Sequence, residues 1–314
     1  MDGLNQTVGT DFIILGFSRF HHFEVPIFLL ILLAYLTTLA GNLVIITLVR
    51  VEFSLQSPMY LFISSLSFLE ILYVSVTVPR LLANLLGVSK SISFVGCFIQ
   101  MYLFHSLGIS ECMLLGVMAF DRYLAICNPL RYKTIITNKL CILLAAFSWL
   151  MGFSAAIFPT ILAARLPFCG RREVNHFFCD FTPLLYLACT DTSLNVIVNG
   201  SFAVSTIIIP FTIIAVIYIK IILAILKIKS MDGRRKAFST CSSHLIVVAL
   251  FYGTALIVYV RPKGSFPADY DKLLALMYAV FTPLFNPFIY SLRNNDVKEA
   301  VRKLCRRLTV YSKK

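Results

Sequence analysis

Long apolar runs alternate along this chain with short polar connections. Residues 25–49 contain no Asp, Glu, Lys, Arg or His, and at about 1.5 Å per residue a helix of that length exceeds a ~30 Å hydrocarbon core. Comparable runs cover 58–79, interrupted by Glu70, and 96–120, interrupted by His105 and Glu111, then 140–164, 193–219, 237–260 and 273–292. One such run could be a buried helix of a soluble protein, but seven predict an all-α integral membrane protein. Its seven-transmembrane bundle spans 25–292, between an amino-terminal segment 1–24 and a tail 293–314.

Composition sharpens this reading. Apolar residues make up 59% of the 314 and charged residues only 14%, a balance at which a soluble domain would aggregate. The first run is far longer than the core of a cleaved signal peptide and has no basic segment ahead of it, so it reads as a retained span. The sequon Asn5-Gln6-Thr7 precedes it and, if glycosylated, requires an extracellular amino terminus. A second sequon, at Asn199, falls inside the fifth run, beyond the reach of a glycosylating enzyme.

Basic residues give an independent orientation, because cytosolic connections carry the excess of Lys and Arg. With the amino terminus outside, 19 of the 28 fall in the segments assigned to the cytosol: Arg50, Arg122 to Lys139, Lys220 to Lys236 and Arg293 to Lys314. The net charge of +13 is then mainly a topology signal and a surface for anionic membrane lipid or an acidic partner. It does not suggest nucleic acid, since no groove-binding or zinc motif accompanies it. In the tail, Val297, Val301, Leu304 and Leu308 recur at helical spacing with Lys298, Arg302, Lys303, Arg306 and Arg307 between them. That pattern predicts a short amphipathic cytosolic helix on the inner leaflet.

Four of the nine cysteines, Cys97, Cys169, Cys179 and Cys189, fall on the oxidising side, where three pairings are open. Cys112, Cys127, Cys141, Cys241 and Cys305 are expected as free thiols, with Cys305 also placed for palmitoylation.

Polar residues inside the bilayer cost a few kcal/mol unless paired or wetted. Counting along the helices puts Glu70 and Glu111 at one depth, roughly 15 to 18 Å from the inner face, with Asn42 and Asn286 at about 10 to 12 Å. Two carboxylates at one depth in low dielectric either share a proton or hold an ion such as sodium. Above this layer, Phe104, His105, Gly108, Ile109, Phe202, Thr206, Tyr252, Ala255, Leu256 and Tyr278 fall at roughly 20 to 28 Å. They predict an apolar cavity with a few hydroxyls, one imidazole and no carboxylate, suited to a compact neutral molecule.

The segments PMYLFISSLSFLE at 58–70, MAFDRYLAICNPLRY at 118–132, KAFSTCSSH at 236–244, FYGT at 251–254 and PLFNPFIYSLRN at 283–294, with Gly41-Asn42, identify the chain as resembling the olfactory receptors among rhodopsin-like (class A) G-protein-coupled receptors. The resemblance runs nearly end to end. It implies an odorant pocket in the outer half of the bundle, with signalling through an olfactory stimulatory G protein to raise cyclic AMP at the plasma membrane. It assigns that coupling to Asp121, Arg122, Tyr123, Tyr218, Asn286, Pro287 and Tyr290, with Asp121 restraining Arg122 at rest. It pairs Cys97 with Cys179 and Cys169 with Cys189, and gives Trp149 a packing position. Glu70 stands where the family usually has aspartate, Ile217 where serine is common and Phe120 where tyrosine is usual.

A chemoreceptor for a non-odorant ligand is the alternative, and a secondary transporter a more distant one, since no internal repeat accompanies the buried acids. No cofactor is expected apart from that sodium ion. An enzyme is not expected, because no metal-ligand motif, phosphate loop or Ser/His/Asp constellation is present.

Overall fold

A computed structural model describes residues 11–17, 23–170, 172–260, 268–293 and 295–311. Among them, seven helices are long and apolar enough to cross a membrane: Glu24–Val51, Pro58–Leu85, Phe94–Cys127, Asn138–Ala164, Ser193–Leu226, Met231–Tyr259 and Asp269–Ser291. The polar connections start them. Ser93, Thr137 and Ser230 accept from the backbone N–H groups of Gly96, Leu140 and Gly233, and Pro58 opens the second span where a missing N–H costs nothing. The third and fifth helices run past the apolar stretches that announce them, because a helix already nucleated continues into its polar flanks.

Each helix buries one stripe and leaves the rest to the surrounding solvent. The first buries Ile31, Ala34, Thr38, Asn42, Ile45 and Leu48 at helical spacing while Leu29, Leu33, Leu36 and Leu43 stay exposed. Such an apolar exterior is stable only when that solvent is hydrocarbon. The third helix is the central post, packed against the second, fourth and fifth. Gly152 allows its approach to the fourth: a Cβ there would lie 2.4 Å from Ser106 O and 2.1 Å from Ser110 Oγ. Trp149 donates its indole N–H to Ser65 Oγ at 3.2 Å, tying the fourth helix to the second.

Two helices contain π-helical turns, Val204–Ile208 in the fifth and Met277–Phe281 in the seventh. Each inserts a residue into the helical register and re-aims the side chains beside it. A helix at Asn295–Tyr311 follows the last span, with Val297 and Ala300 buried and Lys298, Arg302 and Lys303 exposed. Tyr60 of the second span donates to Asp296 at its start. The side chains of Cys305 and Leu308 lie outside the described residues, as does Asn5.

At the end opposite this tail helix sits a cap that hydropathy did not announce. Strand β1 (Phe12–Ile14) pairs antiparallel with β2 (Ser91–Ile92) and parallel with β3 (Glu173–Val174). Phe12, Phe94, Phe98 and Phe168 pack beneath it as a second apolar core. Lys272 of the seventh helix donates to Gly16 O at 2.8 Å and Asn84 of the second to Ile14 O at 2.8 Å. Gly16 holds a left-handed turn, φ 57°, against Asn84, where any side chain would collide. Disulfides join Cys97 to Cys179 and Cys169 to Cys189, both in or beside the cap.

Candidate functional site

Beneath the cap, the third, fifth, sixth and seventh helices enclose a cavity of about 670 Å³, a volume suited to a small organic molecule. Phe104, His105, Gly108 and Ile109 line it from the third helix, Phe202 and Thr206 from the fifth, and Tyr278 from the seventh. The π-helical turns set the last two: Thr206 returns its hydroxyl to Phe202 O at 2.7 Å, and Thr282 closes the wider turn by donating to Met277 O. Gly108 makes room for the Tyr278 hydroxyl, 3.0 Å from where a Cβ would sit. Asn199, whose sequon lies within the fifth helix, also faces the cavity.

Two expectations need correction. Tyr252, Ala255 and Leu256 do not line the cavity. Tyr252 is wholly buried, donates to Cys112 O at 3.1 Å and packs on Phe211 and Phe251 beneath the floor. The sixth helix meets the cavity a turn higher, through Val258, Tyr259 and Val260, because the cavity lies against the cap and depth counting had no knowledge of the cap. The site also contains carboxylates. Asp180 reaches it from the cap, with Asp271 and Glu173 at the rim. All three belong to connections or helix ends, which helical spacing along the spans does not place over the cavity. The signal that was available is Cys179: once it is tied to Cys97 at the mouth of the third helix, the next residue, Asp180, must lie over the bundle.

Asp180 Oδ1 accepts from Phe181 N at 2.8 Å and stands 3.2 Å from His105 Nε2. Burial alone would raise its carboxyl, but the hydrogen bond and charge of His105, with help from His176 and Phe181 N–H, outweigh this and hold it below the usual carboxylate range. His176, stacked on Phe177 behind it, is pushed down to about 4, mainly by burial and further by Lys272, against the opposing pull of Asp180.

Below the floor, the polar layer brings helices together. Asn286 donates to Glu70 Oε1, joining the seventh helix to the second, with Asn42 of the first beside them. Glu111 lies close enough to Glu70 for their charges to interact. Among the described residues, Asn42 Oδ1, Glu70 Oε2, Glu111 Oε1 and Asn286 Oδ1 are buried without a hydrogen-bond partner. Four such oxygens in one layer are costly unless water, a proton or a cation meets them. No group of three or more His, Cys, Asp or Glu side chains suited to a metal ion occurs among the described residues. Pro287 packs against Gly41 of the first helix.

At the tail end, Asp121 accepts from the Tyr132 hydroxyl at 2.8 Å, and Arg122 beside it is buried. Tyr123 is half-buried. The Tyr218 hydroxyl meets His244 Nδ1 at 2.6 Å, and the Tyr290 hydroxyl is buried without a partner among the described residues. His244 ends the KAFSTCSSH segment but was not singled out from sequence, where a lone histidine in an apolar run carries no mark of its partner.

Comparison with known proteins fits this arrangement. A family model described as "Olfactory receptor" matches residues 31–307. The chain is similar to human olfactory receptor 6N1, 49% identical over 99% of this chain and 100% of that one. It is similar to human olfactory receptor 10A7, 47% identical over 95% of both. The mouse olfactory receptor 2A7 is 47% identical over 97% of this chain and 98% of its own length.

Proposed function

From the premise that the chain belongs to the olfactory receptor family, and so is a non-enzymatic, multi-pass plasma-membrane receptor, we propose that it detects a small, neutral, largely apolar odorant in the cavity under the cap and activates an olfactory stimulatory G protein, raising cyclic AMP. The observation that carries this reading is a mainly apolar cavity at one end of the bundle and a buried Arg122 at the other. The cap face is then extracellular, in keeping with its two disulfides and the basic excess at the opposite end.

A ligand shifts a receptor between packings only by binding one of them better. The cavity is shared by the third and sixth helices, and just beneath its floor the Tyr252 hydroxyl donates to Cys112 O. A guest that moves the sixth helix against the third strains that bond directly. Movement then reaches the Tyr218 to His244 contact and Arg122 at the inner face. The unpartnered oxygens of Glu70, Glu111, Asn42 and Asn286 are hard donors of the kind sodium prefers. They would hold such an ion, or share a proton, between the two ends.

Odorant-evoked cyclic AMP in cells expressing Arg122→Ala tests the coupling; a response equal to that of the unaltered receptor at matched surface level defeats it. For the cavity, His105→Ala should change agonist potency, whereas unchanged potency argues for a site elsewhere. If ligand drives substrate flux and no guanine nucleotide exchange on an added G protein, the chain is a transporter instead.

A further inference from the structure

The wall of the cavity is mainly apolar; Asn199, Thr206 and Tyr278 add polar groups along the helices, and near the cap Tyr259, His105 and Asp180 meet. Their hydrogen-bonding capacity is unevenly used. His105 Nδ1 lies 2.9 Å from Met101 O, which can only accept, so that nitrogen carries a proton. Its other nitrogen faces Asp180 Oδ1 at 3.2 Å. Both ring nitrogens are thus engaged within the protein, Nδ1 with Met101 O and Nε2 with Asp180. Tyr259 differs: its hydroxyl is buried, lies near enough to Asp180 for their charges to interact, and has no hydrogen-bond partner among the described residues. Buried hydroxyls rarely remain unpaired, so one carried by a residue that lines the cavity is open to a partner supplied by a guest.

Counting donors and acceptors narrows that guest. A carboxylate would meet Asp180 and find no spare cationic donor among the described lining residues. An ammonium would give up its hydration to meet a carboxylate already engaged by His105 and Phe181 N–H. Aldehydes, ketones and esters can accept from Tyr259 but offer Asp180 nothing. A hydroxyl both accepts and donates. We propose that the receptor is built for small alcohols or phenols, whose hydroxyl accepts from Tyr259 Oη–H and donates to the Asp180 carboxylate while the apolar remainder lies along Phe104, Ile109 and Ala275. This rests on the cavity being the odorant site.

The test is a set of straight-chain, cyclic and aromatic skeletons of roughly six to ten carbons, sized to the cavity, each presented as alcohol or phenol, aldehyde, carboxylic acid and amine. Cyclic AMP is read in cells expressing the receptor with an epitope tag for surface level. Alcohols or phenols should lead every matched skeleton that responds, by about tenfold or more, and Tyr259→Phe should reduce their potency about tenfold at unchanged surface level, as expected for one lost hydrogen bond in a dry site. Asp180→Asn should reduce it as well; where that variant fails to reach the surface, Tyr259→Phe decides. Silence toward all alcohols and phenols overturns the inference, as do leading agonists from another class or alcohols whose potency Tyr259→Phe leaves unchanged. Ile109→Trp separates this from the reading beneath it. Filling the cavity should abolish the response to any agonist the panel yields, whatever its chemistry, and a surviving response removes the cavity itself as the site.

Discussion

The Tyr218 hydroxyl and His244 Nδ1, 2.6 Å apart, join the inner halves of the fifth and sixth helices through a buried contact, with the two rings stacked at 5.8 Å. Arg122 lies close enough for its charge to act on both residues. The pair is thus a polar tie between the two helices, and on the signalling route proposed above it has to separate or slide.

Removing one partner leaves the other buried and unpaired, which costs about 1 to 3 kcal/mol. Tyr218→Phe should lower the thermal midpoint of the detergent-solubilised receptor by several degrees and reduce maximal cyclic AMP at matched surface level. A variant as stable and as active as the parent would show the contact to be incidental.

Gly152 gives the steepest steric prediction. A Cβ at this position overlaps backbone and side chain of the third helix, and the central post cannot yield without disturbing the second and fifth helices packed on it. Gly152→Val should cost on the order of 2 to 4 kcal/mol and sharply reduce surface expression. Gly116→Val, at a position with open space around it, is the matched control and should be tolerated.

The cap should weaken in mild acid because of His176. Its native form resists protonation down to about 4, whereas the unfolded side chain takes up a proton near 6.5. Stability is therefore complete above that ordinary value and falls as pH drops from it toward 4, by about 2 kcal/mol at roughly pH 5. Asp180, held below its ordinary 3.8, loses its contribution only in stronger acid and does not act in this window. Thermal unfolding of nanodisc-embedded receptor at roughly pH 7.5 and pH 5 should reveal the loss, and His176→Asn should flatten it. Equal slopes for parent and variant would remove the histidine from the account.

The two disulfides should not be equivalent. Cys97 and Cys179 close 82 residues and Cys169 and Cys189 close 20, so chain entropy alone favours the first by about 1 kcal/mol. The larger difference is local, since Cys179 seats Asp180 over the cavity. Cys97→Ser with Cys179→Ser should therefore lower agonist potency as well as surface level, whereas Cys169→Ser with Cys189→Ser should chiefly lower surface level. Dose-response curves normalised to surface expression check this.

Glu70 should tolerate loss of its acidic group better than loss of its hydrogen bond. Glu70→Gln keeps an oxygen for Asn286, and Glu70→Ala abandons it in a buried layer. We expect Ala to cost about 2 kcal/mol or more and Gln distinctly less. Repeating the melts in low and high sodium asks whether the layer holds an ion: a sodium-dependent rise present in the parent and absent from Glu70→Gln supports one, and sodium-independent melting of the parent argues for a shared proton.

Much of this protein was fixed by its sequence, because lipid as solvent imposes constraints that operate along the chain. Apolar runs such as 25–49 must be helices to satisfy their own backbone, so their number and order are a one-dimensional property. The face of the third helix that carries Phe104, His105, Gly108 and Ile109 follows from spacing alone, and the interrupting acids Glu70 and Glu111 marked the polar layer. Tertiary structure alone decided how connections and helices meet. Strands of two or three residues have no hydropathy signature, so the cap, its hold on Lys272 and Asn84, and the delivery of Asp180 to His105 became visible only when remote segments were assembled. The same holds for the exchange of Tyr252 for Tyr259 in the cavity wall and for the partnership of Tyr218 with His244. Each depends on the height and rotation of one helix against another, which packing sets and local sequence does not encode.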